Sequence, residues 1–157
     1  MSAEPVGIPL TAFTLAQRWT GTSEVQGAVH NPAIVAMLRL DGANVVDDET
    51  AWCSAFANYI AWILRLPRSK SLRARSWLEV GRPIELAEAS AAFDVVILKR
   101  GDGVQPGPNV IDAPGHVGFF ASLESEIVTL LGGNQGNTVS LARFRRTDVL
   151  GVRRLWP

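Results

Sequence analysis

Three residues spaced along this chain have the types needed to break an amide bond. Cys53 is the sole cysteine and follows the acidic stretch Asp47-Asp48-Glu49-Thr50-Ala51-Trp52. His116 heads the run Gly115-His116-Val117-Gly118-Phe119-Phe120, and Asn134 lies within Gly132-Gly133-Asn134-Gln135-Gly136-Asn137. A thiolate attacks a carbonyl, an imidazole carries the proton, and a carboxamide can hold the imidazole in one tautomer.

Each group needs a suitable setting. A free thiol is mostly protonated at neutral pH. The first turn of a helix presents unpaired N–H groups and the positive end of the dipole, which favour the thiolate, as does a nearby imidazolium. The backbone N–H of Cys53 is one candidate oxyanion donor. Asp47 and Asp48 oppose thiolate formation unless they face solvent or cap the helix. If a hairpin turn is centred on Glu124, His116 pairs with about Gly132, and Asn134 lies diagonally on the same face. The Asn134 amide oxygen could then accept the imidazole N–H, while the glycines allow close approach of substrate backbone. Taken singly, each feature also has a plainer reading: a cysteine in an apolar core, a histidine satisfied in a strand, a Gly/Asn turn.

The elements that must position these groups are legible in the periodicity. Residues 11–20 read as a helix with Thr11 as N-cap and Gly21 as its stop. Asn31-Pro32 opens a second helix, closed by Asp41-Gly42. Trp52, Phe56, Tyr59, Ile60, Ile63 and Leu64 recur at helical spacing, with Asp48 or Thr50 as cap and Pro67 as terminator. Cys53 then falls in the first turn. A shorter helix is expected over 74–80, with Trp77 and Leu78 inward and Gly81 as stop. Beyond Pro83 the pattern becomes extended. Phe93 to Leu98 is a buried strand, 101–114 a Gly/Pro-rich loop, and 116–122 with 127–131 a hairpin. Strands over 139–144 and 149–155 complete the pattern. Helices first, then an antiparallel sheet, is α+β, with the helices on one face.

With 157 residues, the chain is expected to form one domain over 1–157. Fifteen basic residues balance fifteen acidic ones, which argues against a nucleic-acid partner. Lys99 and Arg100, and then Arg143, Arg145, Arg146, Arg153 and Arg154, make the C-terminal part locally basic, either as a solvated edge strand and tail or as attraction to an anionic surface or polymer. One cysteine permits no internal disulfide, and no run is long and apolar enough to span a membrane. The N-terminus lacks the basic and apolar regions of a signal peptide. The expected protein is therefore made in the cytoplasm and released or delivered to the wall or periplasm.

Asp48, Trp52-Cys53, His116-Val117-Gly118-Phe119-Phe120 and Gly132-Gly133-Asn134-Gln135, in that order, resemble the NlpC/P60 and CHAP superfamily of cell-wall cysteine peptidases and amidases. They resemble most a small phage- and prophage-associated branch. Weaker matches at Trp19, Asn31-Pro32, Ser76-Trp77 and the Asp94 strand extend the resemblance over nearly the whole chain. It implies a papain-like fold with Cys53 as nucleophile, His116 as base and acid, and Asn134 as the orienting residue. Asp48, Trp52, Gly133 and Gln135 are expected to line the substrate groove. Ala51 stands where the branch often has proline. Gly132 stands where many CHAP enzymes have glutamate, which favours a Cys-His-Asn set. Adjacent Asp47, Asp48 and Glu49 lack the alternating spacing of a calcium loop, so neither metal nor cofactor is expected.

The resemblance implies a peptidoglycan hydrolase, an endopeptidase or an N-acetylmuramoyl-L-alanine amidase, acting as a phage endolysin or virion lysin. The alternatives are an injected antibacterial effector with an immunity protein, or a catalytically silent wall-binding or virion structural module. A monomer is expected.

Overall fold

The computed structural model describes residues 10–25, 30–44 and 51–156. Helix α1 (Ala12–Ala16) begins at a capping box: Thr11 accepts from the Thr14 N–H, and the Thr14 hydroxyl accepts from the Thr11 N–H. It runs into a 3₁₀ turn, Gln17–Trp19, and the chain turns at Gly21 with φ of 91°. Helix α2 (Pro32–Leu38) has Asn31 as its cap and proline in its first turn. Helix α3 (Cys53–Ile63) begins at the cysteine itself. It ends before Pro67, where Arg65 turns left-handed and the Leu66 N–H reaches back to the Ala61 carbonyl.

Six antiparallel strands follow: β1 (Arg82–Ile84), β2 (Asp94–Lys99), β3 (Gly115–Glu124), β4 (Ile127–Gly132), β5 (Ser140–Arg145) and β6 (Val149–Arg154). Their order in the sheet is β1-β6-β2-β3-β4-β5. The expected α+β architecture is the one found. The segment expected as a short α-helix is a 3₁₀ helix, Ala74–Glu79, with Trp77 and Leu78 buried and Gly81 left-handed after it.

The sheet buries both faces, which explains why β2 reads as a continuous apolar run rather than an alternating one. Val95, Ile97, Val117, Phe119 and Leu131 meet the helices, including Phe56 and Ile60 of α3. Val96, Leu98, Phe120, Val128, Leu130 and Val152 form a second cluster, covered by Phe144, Val149 and Leu86. Phe56 and Phe119 meet edge to face at 6.2 Å, seating α3 on β3.

Two expectations are corrected. The solvated edge strand holds for one half of the arginine cluster and not the other: Arg143 and Arg145 lie exposed on β5, an edge strand, but β6 lies between β1 and β2. Arg154 grips buried Asp94 through both carboxylate oxygens at 2.8 and 2.9 Å, and Arg153 donates to the Leu78 carbonyl at 3.0 Å. These charges stitch the sheet to the segments beside it. The hairpin is also out of the expected register. It turns at Ser125-Glu126, with Glu124 opposite Ile127 and an irregularity between Phe120 and Ser122, so Phe119 faces Leu131. Gly132 is therefore not opposite His116; it pairs with Ser140 of β5.

Candidate active site

Cys53 is the first residue of α3, and Trp52 occupies the cap position. The expected caps Asp48 and Thr50 lie outside the described residues, as do Asp47 and Glu49. Trp52 is fully buried and spends its indole N–H on Glu24 at 2.7 Å. Ser54 and Asn58, on the next turns of the helix, fasten α3 to its surroundings. The Ser54 hydroxyl donates to the Ser71 carbonyl at 2.6 Å and accepts the Trp77 indole N–H at 3.0 Å. The Asn58 side chain donates to the Ser54 and Ser71 carbonyls and accepts from the Lys70 N–H. The start of the helix is thereby held against a turn and a 3₁₀ helix that reach it from elsewhere in the chain.

Cys53 is 3% exposed, and its sulfur is met by the backbone N–H groups of Val117, Ser54 and Cys53 itself. Burial pushes the thiol above its ordinary pKa; those donors and the positive charge of Arg100 pull the other way without prevailing. The expectation of a lowered thiol is thus reversed in the resting protein. A helix start supplies donors, but burial among core side chains outweighs them. The sulfur still borders a hollow of about 370 Å³, lined also by Ala51, Arg73, Arg100, Asp112, Pro114 and Gly115. One wall of that hollow is braced by buried Arg75, which donates to the carbonyls of Gly107 at 2.8 Å, Pro114 at 2.9 Å and Val110 at 3.1 Å.

His116 is the second residue of β3, opposite Leu98 of β2. Its ring stands against Phe144 at 5.3 Å. Nε2 lies 2.9 Å from Oε1 of Gln135. The Gln135 amide nitrogen is already committed to the carbonyls of Ser140 at 2.6 Å and Leu130 at 3.2 Å. Its oxygen can therefore only accept, so Nε2 must carry the proton and Nδ1 is left with a bare lone pair. Burial, reinforced by Arg100 and opposed by the Gln135 bond, lowers the imidazole to about 4. At neutral pH the ring is an uncharged base.

The residue joined to His116 is thus Gln135, expected in the groove, and not Asn134, expected as the orienting group. The reason is local backbone. Strand β4 stops at Gly132, Asn134 is left-handed with φ of 57°, and the chain turns so that Gln135 comes back to the imidazole. Asn134 borders a hollow of about 260 Å³ with His116, Gln135, Lys99, Arg100 and Phe144. Left-handed tolerance in asparagine is the sequence signal that could have marked this turn.

Two other groove expectations change. Trp52 and Gly133 are buried against each other: a Cβ on Gly133 would stand 2.7 Å from the Trp52 ring and 2.8 Å from Phe56. They set the fit of α3 on the sheet and do not face a groove. Asp48 lies outside the described residues. Arg100, beside both hollows, was not singled out as a site residue in the sequence.

Cys53 and His116 are each anchored to the start of β3. The sulfur meets the N–H of Val117, which belongs to the peptide bond following His116. Among the described residues no hydrogen bond joins the sulfur to the imidazole: Cys53 belongs to the helix-side core with Val117, whereas the imidazole stands against Phe144 of the second cluster, and the two residues border separate hollows. A far larger hollow, about 990 Å³, is lined by Trp62, Arg65, Arg68 and Gly81. It borders the other end of α3 and holds neither group. Among the described residues no group of three or more His, Cys, Asp and Glu side chains could hold a metal ion, and no helix is long and apolar enough to cross a membrane.

No family model matches the chain, and no curated protein does. Among solved structures, it is similar to NlpC1 from Trichomonas vaginalis, with a TM-score of 0.52 and 15% sequence identity. The match covers 93% of this chain but 43% of that one. The likeness is one of fold: this chain shares the α+β architecture of that neighbour and spans less than half of its length.

Proposed function

We propose that this protein is a cysteine peptidase or amidase of the NlpC/P60 kind that cleaves an amide bond of peptidoglycan. One observation carries the reading: Gln135, with both of its amide functions committed, fixes His116 as a neutral imidazole with a bare Nδ1 at the strand start that also receives the Cys53 sulfur.

The chemistry then runs as follows. As Cys53 attacks the substrate carbonyl carbon, its S–H proton passes to Nδ1 of His116, and a carbon–sulfur bond forms. Gln135 accepts from Nε2–H throughout and stabilises the imidazolium. The N–H groups at the helix start, that of Cys53 included, are the natural donors to the developing oxyanion. The carbon–nitrogen bond breaks, and the leaving amine takes the proton from Nδ1. Water then attacks the thioester, giving up a proton to the same nitrogen, and the carboxylic product leaves as the thiol re-forms. No cofactor enters these steps.

The finer role, a phage endolysin or virion lysin with peptidoglycan as its partner, rests on the motif resemblance at Trp52-Cys53, His116 to Phe120 and Gly132 to Gln135. The test is digestion of purified sacculi by wild type and Cys53→Ala, with mass spectrometry of the released muropeptides. New amine and carboxyl ends from wild type alone are expected. Equal digestion by both proteins, or none by wild type, would refute the proposal.

A further inference from the structure

Arg100 stands between the two halves of the site. Strand β2 ends at Lys99, which pairs with Gly115, the residue before His116. Arg100 comes next and is exposed. It borders the hollow of His116 and Gln135, the hollow of Cys53, and a third with Gln105, Arg145 and Asp148. Its charge reaches both the sulfur and the imidazole.

No described residue pairs with it. Three other arginines hold carboxylates: Arg154 holds Asp94 at 2.8 Å, Arg68 holds Asp41 at 2.8 Å, and Arg145 holds Asp148 at 3.1 Å. That last pair takes up the carboxylate of the third hollow. Asp112 borders the Cys53 hollow, yet no ion pair links it to Arg100. Lys99 and Arg73 add positive charge around the same openings, in a protein whose net charge is zero. A guanidinium left unpaired at such a mouth is a planar fork suited to a carboxylate. Ionising the sulfur does not account for it, because the thiol remains protonated in its presence.

We propose that Arg100 is a specificity residue that binds a substrate carboxylate beside the scissile amide, so that the site takes acidic stem peptides over amidated ones. This rests on the hydrolase reading above for the identity of the amide.

The test measures binding apart from cleavage. Cys53→Ala protein is titrated calorimetrically with a stem tetrapeptide whose carboxylates are free, and with the same peptide fully amidated. The free acid should bind roughly 10- to 100-fold tighter, the range of a charge-assisted hydrogen-bonded pair. In Cys53→Ala/Arg100→Gln that preference should fall toward unity, with the affinity for the amidated peptide unchanged. Arg73→Gln in the same background removes an equal charge and should keep most of the preference. Equal binding of the two peptides, binding of neither, a preference surviving Arg100→Gln, or an equal loss in Arg73→Gln would each overturn the proposal. Wild-type cleavage of the same peptides is scored separately. Cleavage without preference removes the role of Arg100 and leaves the hydrolase; preference without cleavage does the reverse.

Discussion

Cys53 and His116 are anchored at the same end of β3, and burial acts on them in opposite senses with one result. It raises the thiol and lowers the imidazole, so that neither is charged at neutral pH. Their neighbours differ. The sulfur is met by donors, the N–H groups of Val117, Ser54 and Cys53, and by the charge of Arg100. The imidazole is met by an acceptor, Oε1 of Gln135. Donors stand ready for a thiolate, and an acceptor stands ready for an imidazolium, yet the proton has not moved. In the proposed reaction, charge separation is deferred to the attack itself, when substrate reaches the sulfur.

The sharpest way to break this comparison is to remove the acceptor. Gln135→Leu should lower kcat by about 100-fold or more while KM changes little, since the tautomer is lost and the substrate contacts are not. A change confined to KM would contradict the role. Gln135→Glu sharpens the point: a carboxylate there favours the imidazolium, so the acid limb of the kcat/KM profile should move up from about 4. An unmoved limb would count against His116 as the base.

The next effect is on packing. Gly133→Ala puts a methyl 2.7 Å from the Trp52 ring and 2.8 Å from Phe56, beneath the start of α3. Overpacking of this kind costs about 1–3 kcal/mol, to be read as a lower Tm. An unchanged Tm would mean that the Trp52 contact is loose. A comparable effect is expected in acid. His116 takes up its proton near 6.5 when unfolded and near about 4 when folded. Between those values the unfolded chain holds more protons, so stability should fall as pH drops through this window, by up to roughly 3 kcal/mol. Above pH 6.5 this contribution should be flat. Urea unfolding at several pH values, with His116→Gln as the reference, measures it; the same acid loss in both proteins would contradict the assignment.

The smallest effect concerns the free thiol. Iodoacetamide should modify Cys53 slowly at pH 7, and the rate should rise only above the ordinary thiol range near ~8.5. Fast alkylation at neutral pH would show a thiolate already present.

What the sequence made legible follows the range of the interactions involved. Thr11 and Asn31 cap their helices through neighbours two or three residues away, and both were readable. So were Cys53 in the first turn and the buried run of β2. The hairpin register was not, because it depends on the irregularity between Phe120 and Ser122 and on left-handed Ser125. The insertion of β6 between β1 and β2 joins residues such as Arg154 and Asp94, far apart in the chain, and no local pattern marks it. At the site, the Cys53 sulfur meets the backbone of β3 one residue beyond His116, while the group bonded to the imidazole is Gln135 and not Asn134. Alternation along an extended strand predicted Asn134; one left-handed residue delivered Gln135. Arg100 was legible only as a member of the basic cluster with Lys99 and the C-terminal arginines, because its place beside the histidine strand depends on the pairing of β2 with β3.

The proposed chemistry depends most on the protonation of one ring. The direct measurement is nitrogen NMR of the His116 imidazole in the free protein at pH 7. The account predicts a neutral ring with its proton on Nε2 and a bare Nδ1. A proton on Nδ1, or on both nitrogens, would contradict it.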